Sequence, residues 1–127
     1  MNGSKITFDT CAVIKLLEKQ YDLTLLGINV DEAQFFTSVI VRMELLSKRQ
    51  MQEEEKRRIF DFLDDLTVIS LNEEIEQKAI EIRRTTQLKL PDCIVAATSI
   101  VLDAVLLTDD DALFNLPWPG LRTRNVS

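Results

Sequence analysis

Short apolar runs bounded by polar residues alternate along this chain with stretches whose apolar positions recur every three to four residues. That alternation predicts an α/β domain, in which helices return the chain from one strand to the next parallel one. Residues 6–8 (Ile6-Thr7-Phe8) read as the first strand, and 11–20 as a helix with Val13, Leu16 and Leu17 on one face. The stretch 21–33 has no clear period, and Gly27 and Asn29 mark a turn within it. A second strand over 34–37 passes into a helix that carries Glu44 to Lys48. The β-branched Val39-Ile40-Val41 blur the boundary between the two.

The clearest helix is 53–66. Glu53 and Arg57, and Glu54 and Arg58, are i,i+4 pairs in the favourable orientation, and Ile59, Phe62, Leu63 and Leu66 form its apolar stripe. A strand over 67–70 follows. Asn72 then caps a helix with Glu73 and Glu74 in its first turn and Ile75, Ala79, Ile82 and Thr86 along one face. Leu90-Pro91-Asp92 opens a helix to about residue 102, apolar nearly all round, the pattern of an element sandwiched in a core. Val105-Leu106-Leu107-Thr108 has no polar residue until its end, as a central parallel strand requires. A turn over 117–120 leads to an edge strand over 121–125. The sum is a single doubly wound domain over 1–127, with a mainly parallel sheet of about five strands and helices on both faces.

Composition narrows the chemistry. The 127 residues hold no histidine, which removes Ser-His-Asp and Cys-His catalysis and almost every catalytic zinc arrangement. Gly3, Gly27 and Gly120 are too scattered for a phosphate-binding glycine loop. With 21 acids against 15 bases, the net charge of -6 weighs against a general nucleic-acid coat or a membrane-surface binder. It does not exclude a nucleic-acid enzyme whose acids hold metal ions. No apolar stretch is long enough for a signal peptide or a membrane span, so a cytoplasmic protein is expected. Cys11 and Cys93 lie in apolar runs and are expected as reduced, buried, inert thiols.

Carboxylates must then carry any reaction. Doubly wound sheets bind ligands beyond the carboxyl ends of their strands. The first strand ends in Phe8-Asp9-Thr10 and the 105–108 strand in Thr108-Asp109-Asp110-Asp111, on the same rim. Asp92 opens an apolar helix, and Glu44 interrupts the apolar stretch 39–46. A carboxylate in such surroundings is costly unless paired, protonated or bound to metal. Each acid also has a purely structural reading. Asp9 and Asp92 are candidate helix caps, Asp109 to Asp111 a solvated turn capping Ala112-Leu113-Phe114, and Glu44 a surface partner for Arg42 or Lys48.

Taken together, these segments resemble the PIN-domain family, and specifically VapC-type toxin ribonucleases of type II toxin–antitoxin systems. The resemblance runs from Ile6-Thr7-Phe8-Asp9-Thr10 through Arg42-Met43-Glu44-Leu45-Leu46 to Leu90-Pro91-Asp92-Cys93-Ile94-Val95-Ala96-Ala97-Thr98 and Leu106-Leu107-Thr108-Asp109-Asp110, with Phe114 beyond. It implies the strand order 3-2-1-4-5 and an acidic metal site of Asp9, Glu44, Asp92 and Asp110, supported by Thr10 and Thr108, with Asp109 as the fallback ligand. The chain departs from the family at Cys11, where an Asn is usual, and at Leu113, where an acid or amide is.

Carboxylate-only ligation favours Mg²⁺ or Mn²⁺ over zinc, and such an ion dispenses with histidine by lowering the pKa of its own water. Without it, four crowded carboxylates repel, so at least one should titrate above its ordinary value. The resemblance further implies endonucleolytic cleavage of RNA, a homodimer, and a cognate antitoxin protein that covers the acidic site. Candidate phosphate contacts are Lys48-Arg49, Lys56-Arg57-Arg58, Arg83-Arg84, Lys89, Arg122 and Arg124, while Trp118 either stacks on a base or plugs the fold. The competing reading is a catalytically inactive PIN-like protein-binding module. A phospho-receiver domain would need adjacent acids after the first strand, and a haloacid-dehalogenase-type phosphatase Asp-x-Asp there; position 11 is Cys.

Overall fold

The structure, a computed structural model, describes residues 4–126; Met1 to Gly3 and Ser127, part of the domain expected over 1–127, lie outside the described residues. Strand β1 (Lys5–Phe8) leads into helix α1 (Thr10–Leu17) and a 3-10 turn (Thr24–Leu26) closed by Gly27 at φ 81°. Then come β2 (Gln34–Ser38), α2 (Val39–Leu46), α3 (Glu53–Asp64), β3 (Thr67–Ile69) and α4 (Glu73–Thr85). The chain continues through α5 (Leu90–Leu102), β4 (Val105–Thr108), α6 (Asp111–Phe114) and β5 (Arg122–Asn125). The sheet order is β3-β2-β1-β4-β5, and all four pairings are parallel. The sheet expected to be mainly parallel is therefore wholly so among the described residues. Its winding reverses between β1 and β4, where such sheets open a crevice at the strand ends.

Local chemistry explains the boundaries. Ser38 ends β2 and caps α2, its hydroxyl accepting from the Ile40 N–H at 3.2 Å. That cap draws Val39-Ile40-Val41 into a helical first turn despite their branching at Cβ. Asn72 caps α4 through the Ile75 N–H at 2.9 Å, and Ile75, Ala79 and Ile82 form its buried stripe. Every residue of α5 from Cys93 to Ser99 is buried, because the helix packs against β1, β2 and β4 on one side and α4 on the other.

Side chains alternate across β1. Thr7 points to α5, donating to Ser99 Oγ at 2.9 Å. Phe8 points the other way and meets Phe62 of α3 edge-on at 5.5 Å. In β4, Leu106 and Leu107 are fully buried, whereas β5 alternates exposed and half-buried positions, as an edge strand does.

Three expectations meet the structure here, and two of them change. Arg122 and Arg124 do sit on the exposed positions of β5, but both are engaged. Arg122 donates to the Asp103 carbonyl at 2.7 Å and carboxylate at 3.1 Å, and Arg124 donates to the Leu26 carbonyl. They tie the edge strand to its neighbours rather than standing free for phosphate. Trp118 is half-buried against the core and serves as a plug. Cys93 is buried as expected, but Cys11 is exposed: Ala12 and Val13 take the inward positions of α1, which leaves Cys11 and Ile14, three apart, on its outer face.

Candidate active site

Asp9 follows β1 directly, and its backbone N–H still pairs with Leu107 of β4 at 3.2 Å. It caps α1: Oδ1 accepts from the Ala12 N–H at 2.7 Å, so the helix-cap reading of this residue holds. The other oxygen, Oδ2, accepts from the hydroxyl of Thr108 at the end of β4. The Thr108 oxygen in turn accepts from the Asp110 N–H at 2.9 Å. One buried hydroxyl thereby joins the ends of the two central strands and fixes Asp9 relative to Asp110.

Asp110 caps α6, its Oδ1 accepting from the Leu113 N–H at 3.1 Å. Its neighbour Asp109 turns instead to Lys15 of α1, at 2.8 Å. Glu44 pairs with neither Arg42 nor Lys48. Its Oε1 accepts from the Thr10 hydroxyl at 2.6 Å, while Lys48 is taken by Glu55 of α3. Asp92 is no helix cap either, since Lys89 holds that position in α5, and Asp92 makes no hydrogen bond or ion pair among the described residues.

Electrostatics link these acids. Asp9 is only 5% exposed, and its pKa is raised from 3.8 to about 6. Burial is the main cause, opposed by the bonds from Thr108 and Ala12 and reinforced by the charges of Asp110 and Asp92. The Asp92 carboxyl is pushed up by burial and by Asp110 and Glu44, against the pull of Lys89. The Cys11 thiol is raised by partial burial and then by Asp9, Asp109, Asp110 and Asp92, so this exposed sulfur looks onto the same negative field. A raised carboxyl is expected from crowding, but burial is the larger cause for both Asp9 and Asp92, and the neighbouring acids only add to it.

The donor set suits a hard divalent cation by its chemistry: all ligating atoms are carboxylate oxygens. Glu44 Oε2, Asp110 Oδ2 and both oxygens of Asp92 are free of protein partners among the described residues. Among those residues no three Asp, Glu or Cys side chains converge tightly enough to hold an ion as they stand. Repulsion among unneutralised carboxylates favours that separation, and a cation would have to draw them together.

Two further residues carry no signal in the sequence. Lys15 lies four positions after Cys11, on the helix face that looks onto the rim, but its partner is 94 residues away along the chain. Tyr21 donates to the Ala12 carbonyl at 2.8 Å, and burial together with Asp9 raises its phenol well above the ordinary value.

Similarity to known proteins follows the same lines. A family model of the PIN domain matches residues 6–118. The chain belongs to the PIN domain family. No curated protein matches its sequence. Among solved structures, this PIN domain is similar to VapBC2 from Rickettsia felis bound to a DNA fragment from its promoter, with a TM-score of 0.80 at 21% identity over 95% of this chain and 98% of that one. VapBC-1 from nontypeable Haemophilus influenzae gives 0.79 at 20%, covering 96% and 98%. A toxin–antitoxin complex from Klebsiella pneumoniae gives 0.73 at 24%, again covering 96% and 98%. At such identities the likeness is one of fold. No helix among the described residues is long and apolar enough to cross a membrane.

Proposed function

We propose that this PIN domain is a metal-dependent endoribonuclease, the toxin of a VapC-type toxin–antitoxin pair. The observation that carries the reading is the buried Asp9, joined through the Thr108 hydroxyl to Asp110 at the point where the sheet reverses its winding, its carboxyl pushed up mainly by burial. A carboxylate so disfavoured without a counter-charge is suited to holding a cation.

In this reading Asp9, Glu44, Asp92 and Asp110 hold Mg²⁺ or Mn²⁺. When bound, the ion supplies Lewis-acid polarisation of a phosphodiester and neutralises charge that develops in its hydrolysis. The protein's part is positioning. Thr108 and the Ala12 N–H fix Asp9, the Leu113 N–H orients Asp110, and Thr10 holds Glu44 from across the α1–α2 contact. Asp92, unpartnered in the first turn of α5, is free to move toward the ion.

An RNA substrate and a homodimer rest on the family resemblance. The antitoxin partner has additional support, because the similar structures are toxin–antitoxin assemblies. A basic antitoxin segment would be drawn to a chain of charge -6 with an acidic rim. The test is incubation of the purified protein with RNA and Mn²⁺, beside Asp9→Asn and a chelator control. Cleavage is expected with the unsubstituted protein alone. Equal cleavage by Asp9→Asn would refute the reading, and no cleavage by either would favour a protein-binding module.

A further inference from the structure

Three consecutive aspartates follow β4; Asp111 opens α6, and of Asp109 and Asp110 only one can serve the acidic rim well. In extended chain, neighbouring side chains point apart. Asp110 is oriented by α6 and by Thr108, and its charge reaches both Asp9 and Asp92. Asp109 is drawn away by Lys15, Nζ to Oδ2 at 2.8 Å, with both side chains about a quarter exposed. Lys15 is the one basic side chain among the described residues whose ion pair falls on this rim; the other pairs are Lys48 with Glu55, Lys78 with Glu81 and Arg122 with Asp103.

We propose that Lys15 is a positioning residue that withholds Asp109 from the acidic site, so that Asp110 and not Asp109 serves the metal ion. This rests on the metal-site reading above. Lys15 neutralises Asp109 and anchors it to the last turn of α1, which keeps the rim at four carboxylates. With Lys15 gone, Asp109 becomes a free carboxylate one residue from Asp110.

The experiment is the Mn²⁺-dependent rise in melting temperature, measured by calorimetry without any substrate. Asp110→Asn keeps the α6 cap, since Asn caps as well as Asp, and removes the charge. It is expected to cost at least about ten-fold in Mn²⁺ affinity in the Lys15 background. Combined with Lys15→Met, the same substitution is expected to cost less than half as much on a logarithmic scale, because Asp109 takes over. Adding Asp109→Asn to that pair abolishes the recovery, and Lys15→Arg in place of Lys15→Met restores the full cost. An Asp110→Asn cost that is equal with Lys15 or Met at position 15 would overturn the role of Lys15 while leaving the metal site standing. No Mn²⁺ response in the unsubstituted protein would overturn both.

Discussion

Asp9→Asn isolates the charge of the buried acid with little change in its bonding. Asn caps a helix as well as Asp does, so the Ala12 N–H keeps its acceptor. The Thr108 oxygen has a second lone pair for the Asn amide, beside the one used by the Asp110 N–H. What disappears is a carboxyl whose folded pKa is about 6 against 3.8 when unfolded. The folded carboxyl binds its proton more tightly than the unfolded one. In the metal-free protein its contribution is therefore fully favourable below about pH 4, is lost as pH rises through about 6, and is constant above that. At 1.36 kcal/mol per pKa unit the shift corresponds to about 3 kcal/mol, or roughly 10 °C in melting temperature for a chain of this length. Calorimetric scans of both proteins in chelator should nearly coincide at about pH 4, with the Asn variant higher by up to that amount at about pH 7. Mn²⁺ should then raise the unsubstituted protein and leave the variant where it was. Two melting curves that stay parallel from acid to neutral pH would refute the argument.

Three further outcomes follow from the same geometry. Thr108→Val leaves a buried carboxylate oxygen and the Asp110 N–H without partners, which should cost about 2–4 kcal/mol in urea unfolding, while Thr108→Ser should cost under about 1 kcal/mol. Thr10→Ala removes an exposed bond to Glu44, so stability should change by less than about 1 kcal/mol while the Mn²⁺ response of the melting temperature weakens. Asp92→Asn relieves a carboxyl pushed up by burial and its neighbours, so the metal-free protein should gain stability at neutral pH and lose much of its Mn²⁺ response.

Much of the fold is legible in the chain because the pattern is consistent at each level. The apolar run 105–108 and the small-residue helix from Leu90 announce a central strand and a sandwiched helix, and both are found. The rim was legible too, since acids that directly follow strands go where the topology sends them. What stayed hidden depends on tertiary contacts. Asp109 turns to Lys15, distant in sequence, and the partner of Glu44 comes from α1 rather than from its own helix. Composition around Cys11 points inward, yet one residue of helical phase carries it out. Arg122 and Arg124 have the spacing of a phosphate-binding face, and only the positions of Asp103 and Leu26 show them to be tethers.

The hydroxyl that joins Asp9 to the end of β4 spans 99 residues of sequence. In a sheet whose strands are all parallel, no hairpin can form early and locally, and each pairing closes a long loop. The β1–β4 pairing closes one of the longest. Folding of such a chain is slow for its size, and its acids remain apart until the strand carrying Thr108 has been made and docked. A ribosome-bound chain that ends short of β4 therefore carries Asp9, Glu44 and Asp92 without the hydroxyl that joins Asp9 to Asp110. The order of synthesis itself keeps the rim unassembled until the domain is nearly complete.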